Sequence, residues 1–457
     1  MKALPGIRRV LVANRGEVAV RIIRACRDLG IEAVAVYSEV DRDSYHVQLA
    51  DRAVCIGPRQ SAASYLNIPA LITAARMTEA DAVHPGYGFL AENAEFAAAC
   101  AEHGLIFIGP PPDAIRAMGD KALARRTAAR LGVPVIPGSE GVVSTAADLA
   151  GLARQVGFPL LLKAAAGGGG RGMRLVRTPE ELEVAWHRAR AEAGAAFGRD
   201  EVYLERFLER VRHVEVQVLA DGHGRAVHLG ERECSLQRRH QKVVEEAPSP
   251  AVDPCLRERL AAAALAICRE IGYRGAGTVE FVVDAVTGQF YFIEMNTRLQ
   301  VEHPVTELIT GVDIVVEQIR LAAGEPLSFR QEDVTLRGHA LECRVLAEDP
   351  DRGFLPCPGR IAAYQPPAGP GVRLDSHCYP GYAVPPDYDS LLAKVVTWGP
   401  DRHTAIRRMA RALAEYRIEG VATNIPFLRQ LMAHPDFLAG HFHTHWLEET
   451  FLARGEG

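Results

Sequence analysis

The N-terminal quarter of the chain alternates short apolar runs with helix-patterned stretches, and few folds accept that order. Runs at 8–13 (RRVLVA), 31–37 (IEAVAVY), 52–56 (RAVCI), 81–84 (DAVH) and 105–108 (LIFI) are separated by helical patterns near 17–29, 67–77 and 92–103. Strand alternating with helix predicts a doubly wound parallel sheet covered on both faces. Gly16, Gly86, Gly88 and Gly109 stand where such strands end. Ligands approach the carboxyl ends of the strands in this architecture, so those loops form the functional edge.

From about residue 118 the pattern changes. Residues 158–177 read as strand, glycine turn, strand, and two hairpins follow with turns at 221–224 (DGHG) and 285–288 (AVTG). Helical stretches at 254–272 and 313–323 accompany them, giving a mixed α+β layer. A polar, turn-rich segment at 324–333 marks a boundary, after which the chain is β-rich to about 398 and ends in two helical segments. The expected division is therefore 1–117, 118–332 and 333–457, in keeping with a length of 457 residues.

Composition removes several classes of function. A net charge of −5 gives no general attraction to nucleic acid or anionic membrane. No apolar run approaches the roughly 20 residues a bilayer span requires, and because Met1–Gly6 leads straight into a strand-like segment, no signal peptide is expected. The nine cysteines are scattered with no CxxC pair, which reads as reduced thiols in a cytoplasm. Of 52 basic residues only five are lysines: Lys2, Lys121, Lys163, Lys242 and Lys394. In so arginine-rich a chain, each lysine is a candidate for a compact point charge that a planar guanidinium cannot supply.

Three segments carry chemistry. In FPLLLKAAAGGGGRGM (158–173) the run Gly167, Gly168, Gly169, Gly170 makes a loop whose backbone N–H groups can approach an anion, with Lys163 on the strand leading into it. No GK[ST] follows, so this is not a P-loop. In the hairpin GTVEFVVD (277–284) and FYFIEMN (290–296), strand alternation puts Glu294 and Asn296 on one face, and pairing adds Glu280. Two carboxylates and an amide oxygen among aromatic neighbours suit a hard cation that phosphate oxygens complete. If TRLQVEHPVTE (297–307) stays extended, Arg298, Gln300 and Glu302 share a face, offering a fork for a small oxyanion beside a general base. RECSLQRRHQKVVEEAPSP (232–250) adds Gln237, His240 and Lys242 as donors; read alone, it is equally a solvated basic loop.

Together these motifs resemble the biotin carboxylase family, a branch of the ATP-grasp superfamily, over nearly the whole chain. VLVANRGEVAVRIIRA (10–25), HPGYGFLAENAEFA (84–97), KAAAGGGGRGM (163–173), ERECSLQRRHQKVVEEAP (231–248), FIEMNTRLQVEHPVTE (292–307), HALECRVLAEDP (339–350) and PGYAVPPDYDSLLAKV (380–395) all match in order. The glycine loop and the IEMN segment are shared with carbamoyl-phosphate synthetases, whereas NRGE, RRHQK and QVEHPVTE are more particular to biotin carboxylases. The resemblance implies a central ATP-grasp domain with a lid over roughly 134–206. It implies that Lys121, Lys163, the glycine loop, Glu205, Arg206, Phe207, Leu208, His213, Gln237 and His240 bind ATP. Glu280, Glu294 and Asn296 would hold Mg2+ or Mn2+. Lys242, Arg298, Gln300 and the Val301 backbone would position bicarbonate, with Glu302 as its base, and Arg344 would stabilise charge on biotin's ureido oxygen.

The chain departs from some relatives in Ala164–Ala166, three alanines before four glycines, which leaves the final carboxyl acceptor open. It contains no Met-Lys-Met biotinylation sequence, so biotin is expected on a separate carrier protein, with a carboxyltransferase elsewhere. The family also implies a homodimer. Two rival readings are a different ATP-grasp ligase that passes an acyl phosphate to an amine, and a catalytically silent scaffold subunit.

Overall fold

The computed structural model describes residues 4, 6–139, 141–143, 145–164, 173–198 and 200–452. Its N-terminal part is the parallel sheet that the alternation predicts. Strands β1 (Arg9–Val12), β2 (Glu32–Ser38), β3 (Arg52–Gly57), β4 (Ala82–His84) and β5 (Ile106–Phe107) run in the order β3-β2-β1-β4-β5, all parallel. Helix α1 (Gly16–Asp28) starts at a glycine with positive φ and buries Val18, Ile22, Ile23 and Ala25 against the sheet. Its buried Arg21 donates to Glu307 at 2.9 Å and Asp313 at 2.6 Å, tying this layer to the middle of the chain.

The expected strand–turn–strand at 158–177 forms β6 (Leu160–Ala164) and β7 (Met173–Val176), paired antiparallel. β6 pairs on its other side with β8 (Val202–Arg206), and helices Ala146–Val156 and Leu182–Phe197 pack on this small sheet around Leu160, Leu162, Trp186 and Leu204. Gly167, Gly168, Gly169 and Gly170 lie outside the described residues.

The centre is an eight-stranded antiparallel sheet. In chain order its strands are β9 (Val211–Ala220), β10 (Ala226–Arg238), β11 (Gln241–Ala247), β12 (Gly275–Asp284), β13 (Phe290–Asn296), β14 (His339–Leu346), β15 (Val372–Ser376) and β16 (Leu391–Gly399). They lie in the order β13-β12-β9-β10-β11-β14-β16-β15. Both expected hairpins are present as β9–β10 and β12–β13. The sheet does not stop at the boundary near 333: β11 continues directly into β14 through the register Glu245↔Glu342. The C-terminal helices Arg402–Glu415 and Ile425–Met432 close a core with Leu341, Val345, Val395, Met409 and Leu428.

Leu219, Val227, Leu229 and Ala276 of the large sheet share one apolar cluster with Val10, Ile22 and Ile319, so the N-terminal layer is welded to the sheet rather than tethered. A second tie runs to the C-terminal part. Arg15 makes a bidentate pair with Asp41 at 2.7 and 2.8 Å and lies 4.2 Å from the centre of the Tyr388 ring. Among the described residues no helix is long and apolar enough to cross a membrane.

Candidate functional site

One face of the large sheet forms the floor of a cavity of about 1080 Å³. Tyr87 and Gly88 reach its wall from the loop after β4, the carboxyl edge of the parallel sheet. The lining also includes His213, Gln237, His240, Lys242, Glu280, Glu294, Asn296, Arg298, Gln300, Val301, Glu302 and Arg344. Three distant stretches of sequence thus converge because β9, β10, β11, β12 and β14 lie side by side.

Lys242 is the hub. Its Nζ donates to Glu215 Oε2 at 2.6 Å, Glu280 Oε1 at 3.0 Å and Glu302 Oε1 at 2.6 Å. An ammonium can serve three carboxylates in three directions, which a guanidinium fork cannot do from one atom. Burial opposes its charge, but the three carboxylates outweigh burial and hold the ammonium well above the usual lysine range. Burial likewise opposes ionisation of Glu302; Lys242, Arg344 and Arg232 overcome it and keep that carboxylate well below its usual range. Glu280 behaves the same way, with Lys242 and His213 outweighing burial. Glu302 is therefore an ionised acceptor whose second oxygen takes a hydrogen bond from Arg344 at 3.0 Å.

Glu280 and Glu294 are direct cross-strand partners, and Asn296 Nδ2 donates to Glu280 Oε1 at 2.8 Å. Two carboxylates and an amide oxygen along one edge of the cavity fit a hard divalent cation that takes its remaining ligands from phosphate. Asn296 Oδ1 accepts from Arg298 at 3.0 Å, and Arg298 also donates to Gln300 at 2.9 Å and to Glu92 at 2.8 Å. His213 Nε2 lies 2.9 Å from Glu280 Oε2, with Gln237 on its other ring nitrogen. Glu280 outweighs burial and raises His213 above the usual histidine range.

The segment 297–307 is not extended throughout. Residues His303–Thr310 form a helix with Pro304 in its first turn and Glu302 at its N-cap, because proline fits a first helical turn and Gly311 supplies the left-handed stop. The side chains of Arg298, Gln300 and Glu302 still converge, through this loop and cap rather than through strand alternation. The Val301 carbonyl accepts from the fully buried Lys394 at 2.9 Å.

The remaining expected residues sit farther out. Lys121 opens the helix Lys121–Arg130 and pairs with Glu294 at 3.2 Å. Lys163 and Arg125 both pair with Glu205 on β8. The Arg206 and Phe207 amides donate to Pro137 and Pro159 carbonyls, at 2.8 and 2.9 Å. Leu208 follows them, and none of Glu205, Arg206, Phe207 and Leu208 lines the cavity. Lys163, Glu205 and Arg206 lie on the small sheet, with Phe207 and Leu208 just past the end of β8.

Sequence reading missed the layer beneath. Arg232 is fully buried and spends its donors on Glu215, Gln217 at 2.8 Å, Thr306 at 2.9 Å and Thr278 at 3.0 Å. Glu215, between Arg232 and Lys242, has a carboxylate oxygen that lies with a ring nitrogen of His213 and an oxygen of Glu280 all within 4.8 Å of one another. The available signal was polar and charged residues set inside apolar strands, alternating in HVEVQV and consecutive in GEREC.

Residues 120–330 match the ATP-binding domain of the carbamoyl-phosphate synthase large chain, which places the chain among the ATP-grasp ligases. Residues 6–115 and 342–449 match the N-terminal and C-terminal domains of biotin carboxylase. A biotin carboxylase of Nostoc sp. is 58% identical over 441 residues, covering 96% of this chain and 98% of that protein. The biotin carboxylase of Campylobacter jejuni, solved as a β,γ-ATP complex, superposes with a TM-score of 0.92 at 49% identity, covering 97% and 98% of the two chains. The biotin carboxylase domain dimer of Hydrogenobacter thermophilus 2-oxoglutarate carboxylase, solved with MgADP, ADP and bicarbonate, gives 0.91 at 49% identity over 97% of each. The chain belongs to the biotin carboxylase family.

Proposed function

We propose that the cavity carboxylates biotin on a separate carrier protein, using ATP and bicarbonate, and that Lys242 and Arg344 meeting on Glu302 is the arrangement that does so. Lys242, Arg298, Gln300 and the Val301 backbone hold bicarbonate beside Glu302. Glu302 takes the bicarbonate proton as its oxygen attacks the ATP γ-phosphorus; the bond to the β-γ bridging oxygen breaks, giving ADP and carboxyphosphate. Carboxyphosphate then releases CO2 and phosphate. Arg344 stabilises negative charge on the ureido oxygen of biotin as its nitrogen attacks CO2 and gives its proton to the phosphate released from carboxyphosphate.

Lys121, Lys163, the glycine loop Gly167–Gly170, Glu205, Arg206, Phe207, Leu208, His213, Gln237 and His240 bind ATP. Glu280, Glu294 and Asn296 hold Mg2+ or Mn2+, which supplies positive charge to the transferred phosphoryl oxygens. The chain works in three parts, 1–117, 118–332 and 333–457, and residues 134–206 close as a lid that keeps water from the labile intermediate. The Hydrogenobacter domain dimer supports a homodimer. A biotin carboxyl carrier protein and a carboxyltransferase complete the pathway in the cytoplasm.

The test is ADP release by the purified protein with ATP, Mg2+ and bicarbonate, with and without free biotin. Biotin stimulates release, and Arg344→Ala lowers the stimulated rate by roughly 10²–10³-fold, the scale of losing one oxyanion donor. ATP hydrolysis indifferent to biotin would instead assign the site to another ATP-grasp ligase with an amine acceptor.

A further inference from the structure

Behind Arg344 lies a pair of acidic side chains that the reaction as written does not use. Glu245 on β11 and Glu342 on β14 are direct cross-strand partners, and both are completely buried. Like charges directly opposite across an antiparallel ladder repel, and a buried charge without a partner is costly. Glu245 Oε1 accepts from Arg344 at 2.6 Å, but its Oε2 has no hydrogen-bond partner among the described residues. Neither oxygen of Glu342 has one. Three unpartnered carboxylate oxygens therefore sit on directly opposed residues of adjacent strands.

The charged surroundings do not supply two counter-ions. Lys394 on β16 is already held by Glu17 at 3.2 Å, Asp375 at 3.8 Å and the Val301 carbonyl. Arg344 divides itself between Glu245 and Glu302, and Lys242 is taken by its three glutamates. Nearby, His303 and the thiols of Cys234 and Cys343 are driven toward their neutral forms, by burial first.

We propose that Glu342 carries a proton that it donates to Glu245, and that this carboxyl–carboxylate pair positions the Arg344 guanidinium against Glu302 and the acceptor site. The proposal rests on the assignment of Arg344 to biotin. Burial raises both groups: Glu342 well above the usual range, and Glu245, despite Arg344, to about 7. At neutral pH the pair thus holds Glu342 neutral while Glu245 titrates. Below about pH 7 Glu245 is protonated and its grip on Arg344 weakens; above it the anchor is ionised.

Two readouts on the full-length protein test this. The first is difference infrared spectroscopy at mildly alkaline pH, where wild type shows a carboxylic-acid C=O stretch that E342Q lacks. The second is the pH profile of biotin-dependent turnover. Wild type rises through a step near 7. E342Q keeps the step, because a glutamine amide donates to Glu245 as the protonated acid does. E245Q loses the step and lowers kcat by on the order of 100-fold, the cost of misplacing a catalytic group by about 1 Å, with a smaller change in biotin-independent ATP hydrolysis. No acid band lost in E342Q, or an undiminished step in E245Q, overturns the proposal. A band present together with an Arg344→Ala variant that biotin stimulates normally would count against the biotin assignment of Arg344, not against the shared proton.

Discussion

Replacing Lys242 with methionine is expected to destabilise the protein by roughly 3–5 kcal/mol and to abolish turnover. Methionine matches the lysine stem, so the loss isolates the charge. Without Nζ, Glu215, Glu280 and Glu302 keep Arg232, His213 and Arg344 as their ion-pair partners among the described residues, with Arg298 close by. Some of the three must then take up protons, because their folded-state affinity for a proton rises above that of the unfolded chain. Such groups contribute stability below the unfolded carboxylate range and lose it as pH rises through the raised folded value. In wild type the sign is reversed for Glu280 and Glu302, which Lys242 helps to hold low, so their contribution fades only in acid. The thermal midpoint of Lys242→Met therefore falls furthest below wild type at about pH 8, and the gap narrows toward about pH 5. A uniform deficit across that range would mean that lost packing, not unpaired charge, dominates.

The fold was legible where local pattern dictates it. Short apolar runs separated by helices specified the parallel sheet, and turn residues at Asp221–Gly224 and Ala285–Gly288 specified both hairpins. Strand alternation within FYFIEMN put Glu294 and Asn296 together, and pairing with β12 supplied Glu280. The retained lysines were a sound guide as well: Lys242 is the hub of the cavity and Lys394 a fully buried cation. What stayed hidden depends on register between distant segments. Glu245 and Glu342 are almost a hundred residues apart in sequence, and nothing in VVEEA or LECRV announces that they face each other. The run of strands across residue 333 was hidden for the same reason. The helix at His303–Thr310 was a local misreading: its Glu-His-Pro start and Gly311 stop were visible, and the alternation of Arg298, Gln300 and Glu302 masked them.

Glu302→Gln is expected to lower bicarbonate-dependent ADP release by roughly 10²–10⁴-fold, the range for losing a general base. Glutamine fills the same space, and its one amide oxygen can accept from either Arg344 or Lys242 but not both. The thermal midpoint of the variant, measured beside its rate, separates lost folding from the lost proton acceptor. At first sight Glu302 is a poor base, since its carboxylate is held well below the usual range. The cations responsible, Lys242 and Arg344, border the cavity in which bicarbonate is to sit. An anion arriving there draws part of their field to itself and adds repulsion of its own, so proton affinity at Glu302 rises only when substrate is bound. Two consequences can be measured. Free-enzyme kcat/KM for bicarbonate shows no acid limb from Glu302 in the neutral range, because the group is already ionised. In Glu302→Gln the loss appears chiefly in kcat, with KM for ATP little changed; a loss confined to KM for bicarbonate would make Glu302 a binding group and leave the proton to another acceptor.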